Sequence, residues 1–300
     1  KVAFVSSPDL SKERLEELPQ RGVAMAKLAP EDKYAGLAPK GLLARDDPAL
    51  DLEDANEPST ETLIERARAV EGAAMAVPGI TNSEGGGASF GRSSIALATS
   101  EGFRGGYAAT SHGIGVAVLG GEGTGMERDY AESSARHASD MEAPGVVGKR
   151  AGERTIKRLN PRQAKSQRAP VIYDPRVSAS LVGSFAGAIS GSSIARGVSF
   201  LKDKMGQAVF GPAINIIDDP HRLRGHRSKP FDGEGVANRK MALIENGVLT
   251  AWLLDTASAK QLGLTTNGHA ARGPGGPPSP STTNLYMAPG KLSPEELMAD

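Results

Sequence analysis

The sequence predicts an α+β protein: an N-terminal helix-and-antiparallel-sheet domain followed by a mainly antiparallel β domain that carries one small-residue helix. Three observations predict it. Apolar residues recur at helical spacing before Pro78, alternate from Ser93, and return to helical spacing at Pro144. An Asn246-Gly247 pair, the strongest short hairpin signal, lies between two β-rich runs. The polar stretch Asn160 to Ala169 separates the two patterns, which places the domains at residues 1–165 and 166–300.

In chain order, Tyr34 to Pro58 is rich in proline and acids and reads as a connector along the surface. Ser59 supplies a cap for a helix whose Leu63, Ile64, Ala67, Val70 and Ala74 make one apolar face, and Pro78-Gly79 ends it. Ser93–Ser100, Gly106–Gly120 and Met126–His137 alternate between glycine-rich turns and read as an antiparallel meander. A helix from Pro144 to Leu159 follows, with Val147, Ala151 and Leu159 on one stripe. Val171-Ile172-Tyr173 reads as a short buried strand. The helix from Ser178 to Ala195 is dense in glycine and alanine, which weakens it alone but admits a close neighbour, so a subunit contact is expected at Ala188. Ala208 to Ile217 reads as a strand, Met241–Ile244 and Val248–Trp252 as a hairpin, and Gly273–Pro280 as a connector. Ser293-Pro294-Glu295-Glu296 opens a further helix. With Lys1 in place of an initiator methionine, the chain reads as a piece of a longer protein with residues missing at both ends.

Composition narrows the function classes. The 300 residues are 39% hydrophobic and 23% charged, ordinary for a soluble globular protein. Lys+Arg 35 against Asp+Glu 35 leaves no net charge, so no global field draws the chain to nucleic acid or to an anionic membrane. The absence of cysteine excludes disulfides, thiolate metal sites and a cysteine nucleophile, and fits a cytoplasmic location. No apolar run approaches the roughly 18 residues of a membrane span.

Several residue groups carry chemistry in principle. His221 and His226 stand near Asp218 and Asp219, but the proline, glycine and arginines between them suit a solvated loop better than a metal site. Asp232 and Glu234 flank a glycine. Acids so spaced shape a turn or cap backbone amides more often than they form a catalytic pair. Gly85-Gly86-Gly87 and Gly121–Gly125 lack the Lys-Ser/Thr of a phosphate loop and read as turns. Ser190-Gly191-Ser192-Ser193 lacks a nucleophile elbow. The basic run Lys149 to Arg168 has no interleaved aromatic and reads as a solvated helix face.

Asn82-Ser83-Glu84-Gly85, Ala98–Phe103, Met126–Tyr130, Ser199-Phe200-Leu201, Asp218-Asp219-Pro220, Phe231–Val236, Glu245–Leu249 and Asn284-Leu285-Tyr286 together resemble the TldD/PmbA family, often labelled modulator of DNA gyrase, on its PmbA (TldE) branch. The resemblance implies a cytoplasmic heterodimeric metallopeptidase acting on unfolded peptides. In it the TldD-type subunit supplies a His-Glu-x-x-x-His helix with a cysteine ligand, and the PmbA-type subunit is its partner. In this chain the matching positions are Gly183, Ser184 and Ala188, which hold no imidazole or carboxylate. The expectation is therefore no catalytic residue and no cofactor in this chain, zinc in the partner, and Asp232, Glu234 and Gly235 at a cleft or subunit contact. A homodimer is the alternative assembly. An autonomous peptidase, marked by metal at His221 and His226, and a non-catalytic peptide or antitoxin adaptor are the alternative functions.

Overall fold

The computed structural model of the protein describes residues 1–299. The first half contains α1 (Lys12–Leu28), α2 (Thr60–Met75), β1 (Ile80–Ala98), β2 (Arg104–Gly120), β3 (Glu127–Ala135) and α3 (Pro144–Arg158). The second contains α4 (Pro175–Ala188), α5 (Gly191–Ala195), β4 (Ile216–Asp218), β5 (Met241–Glu245), β6 (Val248–Leu249), α6 (Thr256–Leu262), β7 (Ala270–Ala271), β8 (Ser279–Pro280), β9 (Leu285–Met287) and α7 (Pro294–Ala299). Helices stand with antiparallel sheets in both halves, so the class is α+β as expected.

In the first half the strands run in the order β1-β2-β3, all antiparallel. Alternation on β2 buries Ile114, Val116 and Val118 on one face, and α2 and α3 cover it with Val70, Ala74, Val147 and Ala151. Ser59 caps α2 as its position predicts, accepting from the Thr62 N–H at 3.2 Å. The two helices meet at Gly148. A Cβ built there would overlap the Val70 carbonyl oxygen and stand 2.8 Å from the Ala73 Cβ, so only glycine permits this approach.

In the second half the sheet order is β6-β5-β4-β9, and β7 pairs with β8. Ile216, Leu243, Ile244 and Leu249 form its core with Phe185 and Ile189, contributed by α4 and its C-cap. Asn246 and Gly247 both have positive φ, 49° and 81°, the backbone that the expected hairpin turn requires.

Six expected elements differ: of Val248–Trp252 only Val248–Leu249 is strand, Ser279-Pro280 at the end of the expected connector forms β8, and four others depart further. The meander begins at Ile80 rather than Ser93, because Gly85-Gly86-Gly87 lies in a bulged stretch of strand and not in a turn. Val171-Ile172-Tyr173 is exposed coil. Of Ala208–Ile217, Ala208 makes one bridge to Val248 and regular pairing starts at Ile216. The helix expected over Ser178–Ala195 starts at Pro175, where the Asp174 carboxylate accepts from the Arg176 N–H at 2.9 Å. It breaks after Ala188, where the Gly191 N–H is diverted to the Leu253 carbonyl at 2.7 Å. Ala188 packs against the core beside Phe185, so the open positions of α4 are Gly183 and Gly187, not Ala188.

Polar contacts fasten the halves together. Arg176 of α4 pairs with Asp129 of β3 at 2.8 Å. Arg224 reaches Asp51 at 2.6 Å and Asp140 at 3.0 Å, while Arg136 donates across to the His226 carbonyl. Among the described residues no helix is long and apolar enough to cross a membrane.

Candidate functional site

Two clefts adjoin the residues that the sequence singles out. The first, about 730 Å³, lies between the Pro175–Gly183 side of α4, the loop Arg222–Arg227 and the segment Thr282–Met287. Its geometry is built from buried polar contacts. Asp218, fully buried at the end of β4, accepts from the Thr283 N–H at 2.7 Å and from its hydroxyl at 2.6 Å, and this fixes the strand that forms the floor. The Asn284 amide donates to the Asp219 carbonyl and the Ser228 hydroxyl, while its oxygen accepts from the Arg227 N–H. His226 donates through Nε2 to the Ser134 carbonyl at 3.0 Å. The His221 ring nitrogen lies 2.7 Å from the Asn238 side-chain oxygen. Both histidines thus have protein partners from outside their own loop. Among the described residues, no group of three His, Asp or Glu side chains is placed to hold a metal.

The second cleft, about 770 Å³, is walled by Ser94–Ala98 of β1 and by the Lys229–Gly233 segment, with Ala271–Pro274 opposite. Here β1 is the outer strand of its sheet, and its wall residues are mostly exposed. The turn below is organised by Asp232, which is 1% exposed. One carboxylate oxygen accepts from the N–H groups of Glu234 at 2.8 Å and Val236 at 2.9 Å, and the other from the Ala270 N–H at 3.0 Å. Burial pushes the Asp232 carboxyl above its ordinary value, although the three amides and Lys229 pull the other way. Burial lowers Lys229 in turn; its ammonium donates to the Ala270 carbonyl. Glu234 accepts from the N–H and hydroxyl of Thr256, both at 2.8 Å, and so ties the turn to the start of α6. It too is raised, by burial first. Gly235 has φ +81°, and a Cβ would stand 2.6 Å from the Phe103 ring, so glycine is required twice over. Asp232 therefore holds a turn beside the cleft, and Glu234 and Gly235 support it.

On α4, Gly183 borders the first cleft, the Ser184 hydroxyl donates to the Ser180 carbonyl, and the Ala188 carbonyl accepts from Ser199. Zinc needs imidazole, thiolate or carboxylate donors, and these three positions offer none, so the ion does not fit this helix. What sequence reasoning missed is the arginine-lined wall of the first cleft, because it is assembled by contacts distant in sequence: Asp51 and Asp140 on Arg224, and Ser281 and Asn284 on Arg227.

Comparison with known proteins accords with the fold. Residues 53–159 match the family model of the PmbA/TldA metallopeptidase central domain, and residues 166–300 that of the PmbA/TldA metallopeptidase C-terminal domain. The chain is 40% identical over 266 residues to the metalloprotease PmbA of Escherichia coli, covering 88% of this chain and 59% of that protein. It is 33% identical to the PmbA homologue of Haemophilus influenzae, with 88% and 59% covered. The chain thus spans about three-fifths of the length of these relatives. A crystal structure from Bacteroides thetaiotaomicron, described as a modulator of DNA gyrase, superposes with TM-score 0.87 at 24% identity over 98% of this chain and 66% of that one. TldE from Thermococcus kodakarensis superposes at 0.79 with 22% identity over 96% and 65%. At these identities both show the fold alone.

Proposed function

Since the chain belongs to the PmbA/TldD metallopeptidase family, we propose that it is the non-metal subunit of a heterodimeric peptidase, joined to a metal-bearing TldD-type partner and handling unfolded peptides. One observation carries this reading: α4 presents Gly183, Ser184 and Ala188 where the family resemblance places ligands, and these cannot hold the ion. The metal and the bond-breaking chemistry therefore fall to the partner.

This chain's own contribution is to hold the substrate. The exposed outer edge of β1 beside the second cleft offers unpaired backbone groups to an extended peptide, which adds as a further strand. Strand addition reads the backbone and tolerates many side chains, which suits unfolded substrates. The outward face of α4, with Val177 and Leu181 about half exposed and open space at Gly187, supports close approach of a second subunit. Cytoplasmic location belongs to the same reading.

The test is metal content and association. After incubation with excess zinc and desalting, the isolated chain is expected to retain no stoichiometric metal, and calorimetric titration with a TldD-type subunit is expected to show binding that Gly187→Trp abolishes. Stoichiometric metal in the isolated chain would reverse the assignment. Absence of any association would leave a peptide adaptor in its place.

A further inference from the structure

The first cleft has an unbalanced charge that the peptide-holding role does not by itself require. Its lining includes Arg222, Arg224, His226 and Arg227 and no carboxylate. The charge of Arg224 is met from outside the lining by Asp51 and Asp140. Arg222 and Arg227 have no carboxylate partner among the described residues: Arg222 lies over the Tyr286 ring at 5.3 Å, and Arg227 donates to the Ser281 hydroxyl at 3.0 Å. Both residues are exposed and line the cleft. The loop that carries them is held in advance. The Ser228 hydroxyl donates to the Arg222 carbonyl at 2.6 Å, Asn284 binds the Arg227 N–H, and Arg224 adopts φ +52° in the middle. A pre-ordered loop loses little freedom on binding. Beside the arginines, Val182, Leu223 and Leu285 add apolar surface to the cleft.

Building on the peptide-holding role proposed above, we propose that this cleft selects substrates by charge: Arg222 and Arg227 receive side-chain or terminal carboxylates of an extended peptide whose neighbouring apolar residues rest on the cleft floor. Guanidinium forks match carboxylates in planar, bidentate geometry. Nucleic acid fits less well, because the one aromatic face in the cleft is already covered by Arg222 and the chain as a whole carries no net positive charge.

Binding of fluorescein-labelled unstructured peptides to this chain alone, read by anisotropy at low salt, tests the proposal without using cleavage. The probes are a C-terminally amidated peptide with a run of glutamates, its glutamine counterpart, and the glutamine peptide with a free C-terminus, which separates side-chain from terminal carboxylates. Expected is roughly fivefold or greater preference for a carboxylate-bearing probe, removed in the Arg222→Gln/Arg227→Gln double variant and kept in Arg168→Gln, an exposed charge loss elsewhere. Thermal unfolding of the double variant verifies that it is folded; if it is not, loss of the preference in the single variants is the readout. Equal binding of all three peptides would overturn the proposal, as would tighter binding of inorganic phosphate or a single-stranded oligonucleotide than of the acidic peptide. A chain that activates a TldD-type partner yet shows no acidic preference would sink this inference alone. One that prefers acidic peptides but activates nothing would sink the subunit reading alone.

Discussion

At Asp232 both carboxylate oxygens accept backbone N–H groups, two amides on one oxygen and the Ala270 amide on the other. Asparagine keeps the first pair and turns an NH2 toward the Ala270 N–H, leaving a buried donor unmatched. Asp232→Asn is therefore expected to cost about 1–3 kcal/mol in denaturant unfolding. Glu234 is different, since one oxygen does all the accepting from Thr256, and a glutamine oxygen can do the same. Its pKa is raised by burial and by the nearby charges of Asp232 and Asp255. A carboxyl whose folded pKa lies above its unfolded value contributes stability that is fully present below the unfolded pKa, 4.5, and is lost as pH rises through the folded one. Glu234→Gln is expected to remove that part of the decline above pH 4.5 and to be no less stable than wild type at neutral pH. A loss of stability at neutral pH on Glu234→Gln would mean that the ionised carboxylate itself is needed.

Among the elements, those whose burial repeats with the local period were legible. In β2, alternate residues meet the α2–α3 face, and in α2 and α3 the buried Val70, Ala74, Val147 and Ala151 fall at helical spacing, so the pattern is written in the side chains. The first half of β1 was hidden because its glycines serve a neighbour: a Cβ at Gly86 would overlap the Ala67 carbonyl of α2. Val171-Ile172-Tyr173 was misleading for the opposite reason, an apolar run left in the open. α1 gave no signal, as none of its residues is buried. Local turn chemistry was legible at Asn246-Gly247 and at Asp232, whereas Arg224 in the cleft wall is ordered by Asp51 and Asp140 from the other half. The close approach of α2 and α3 sets an expectation that helix propensity alone contradicts. Alanine is about 1 kcal/mol better than glycine within a helix, yet Gly148→Ala is expected to destabilise by about 1–3 kcal/mol, because its methyl meets backbone and cannot be accommodated by a rotamer change. An increase in melting temperature would show that the two helices can separate without penalty.

For the molecule as a whole, the two halves meet through Arg136, Arg176 and Arg224, and Asp51 and Asp140 of the first half hold Arg224 in the wall of a cleft whose lining belongs to the second. Family membership follows from the two domain matches, while the proposed division of labour with a partner rests on what α4 lacks. The most direct measurement is cleavage of an unfolded peptide by this chain alone, by a TldD-type subunit alone, and by the mixture at fixed zinc. The expected result is no cleavage by this chain, cleavage by the mixture well above that of the partner alone, and its loss when the partner's metal-binding histidines are replaced. Cleavage by the isolated chain, or a mixture no more active than the partner alone, would contradict the account.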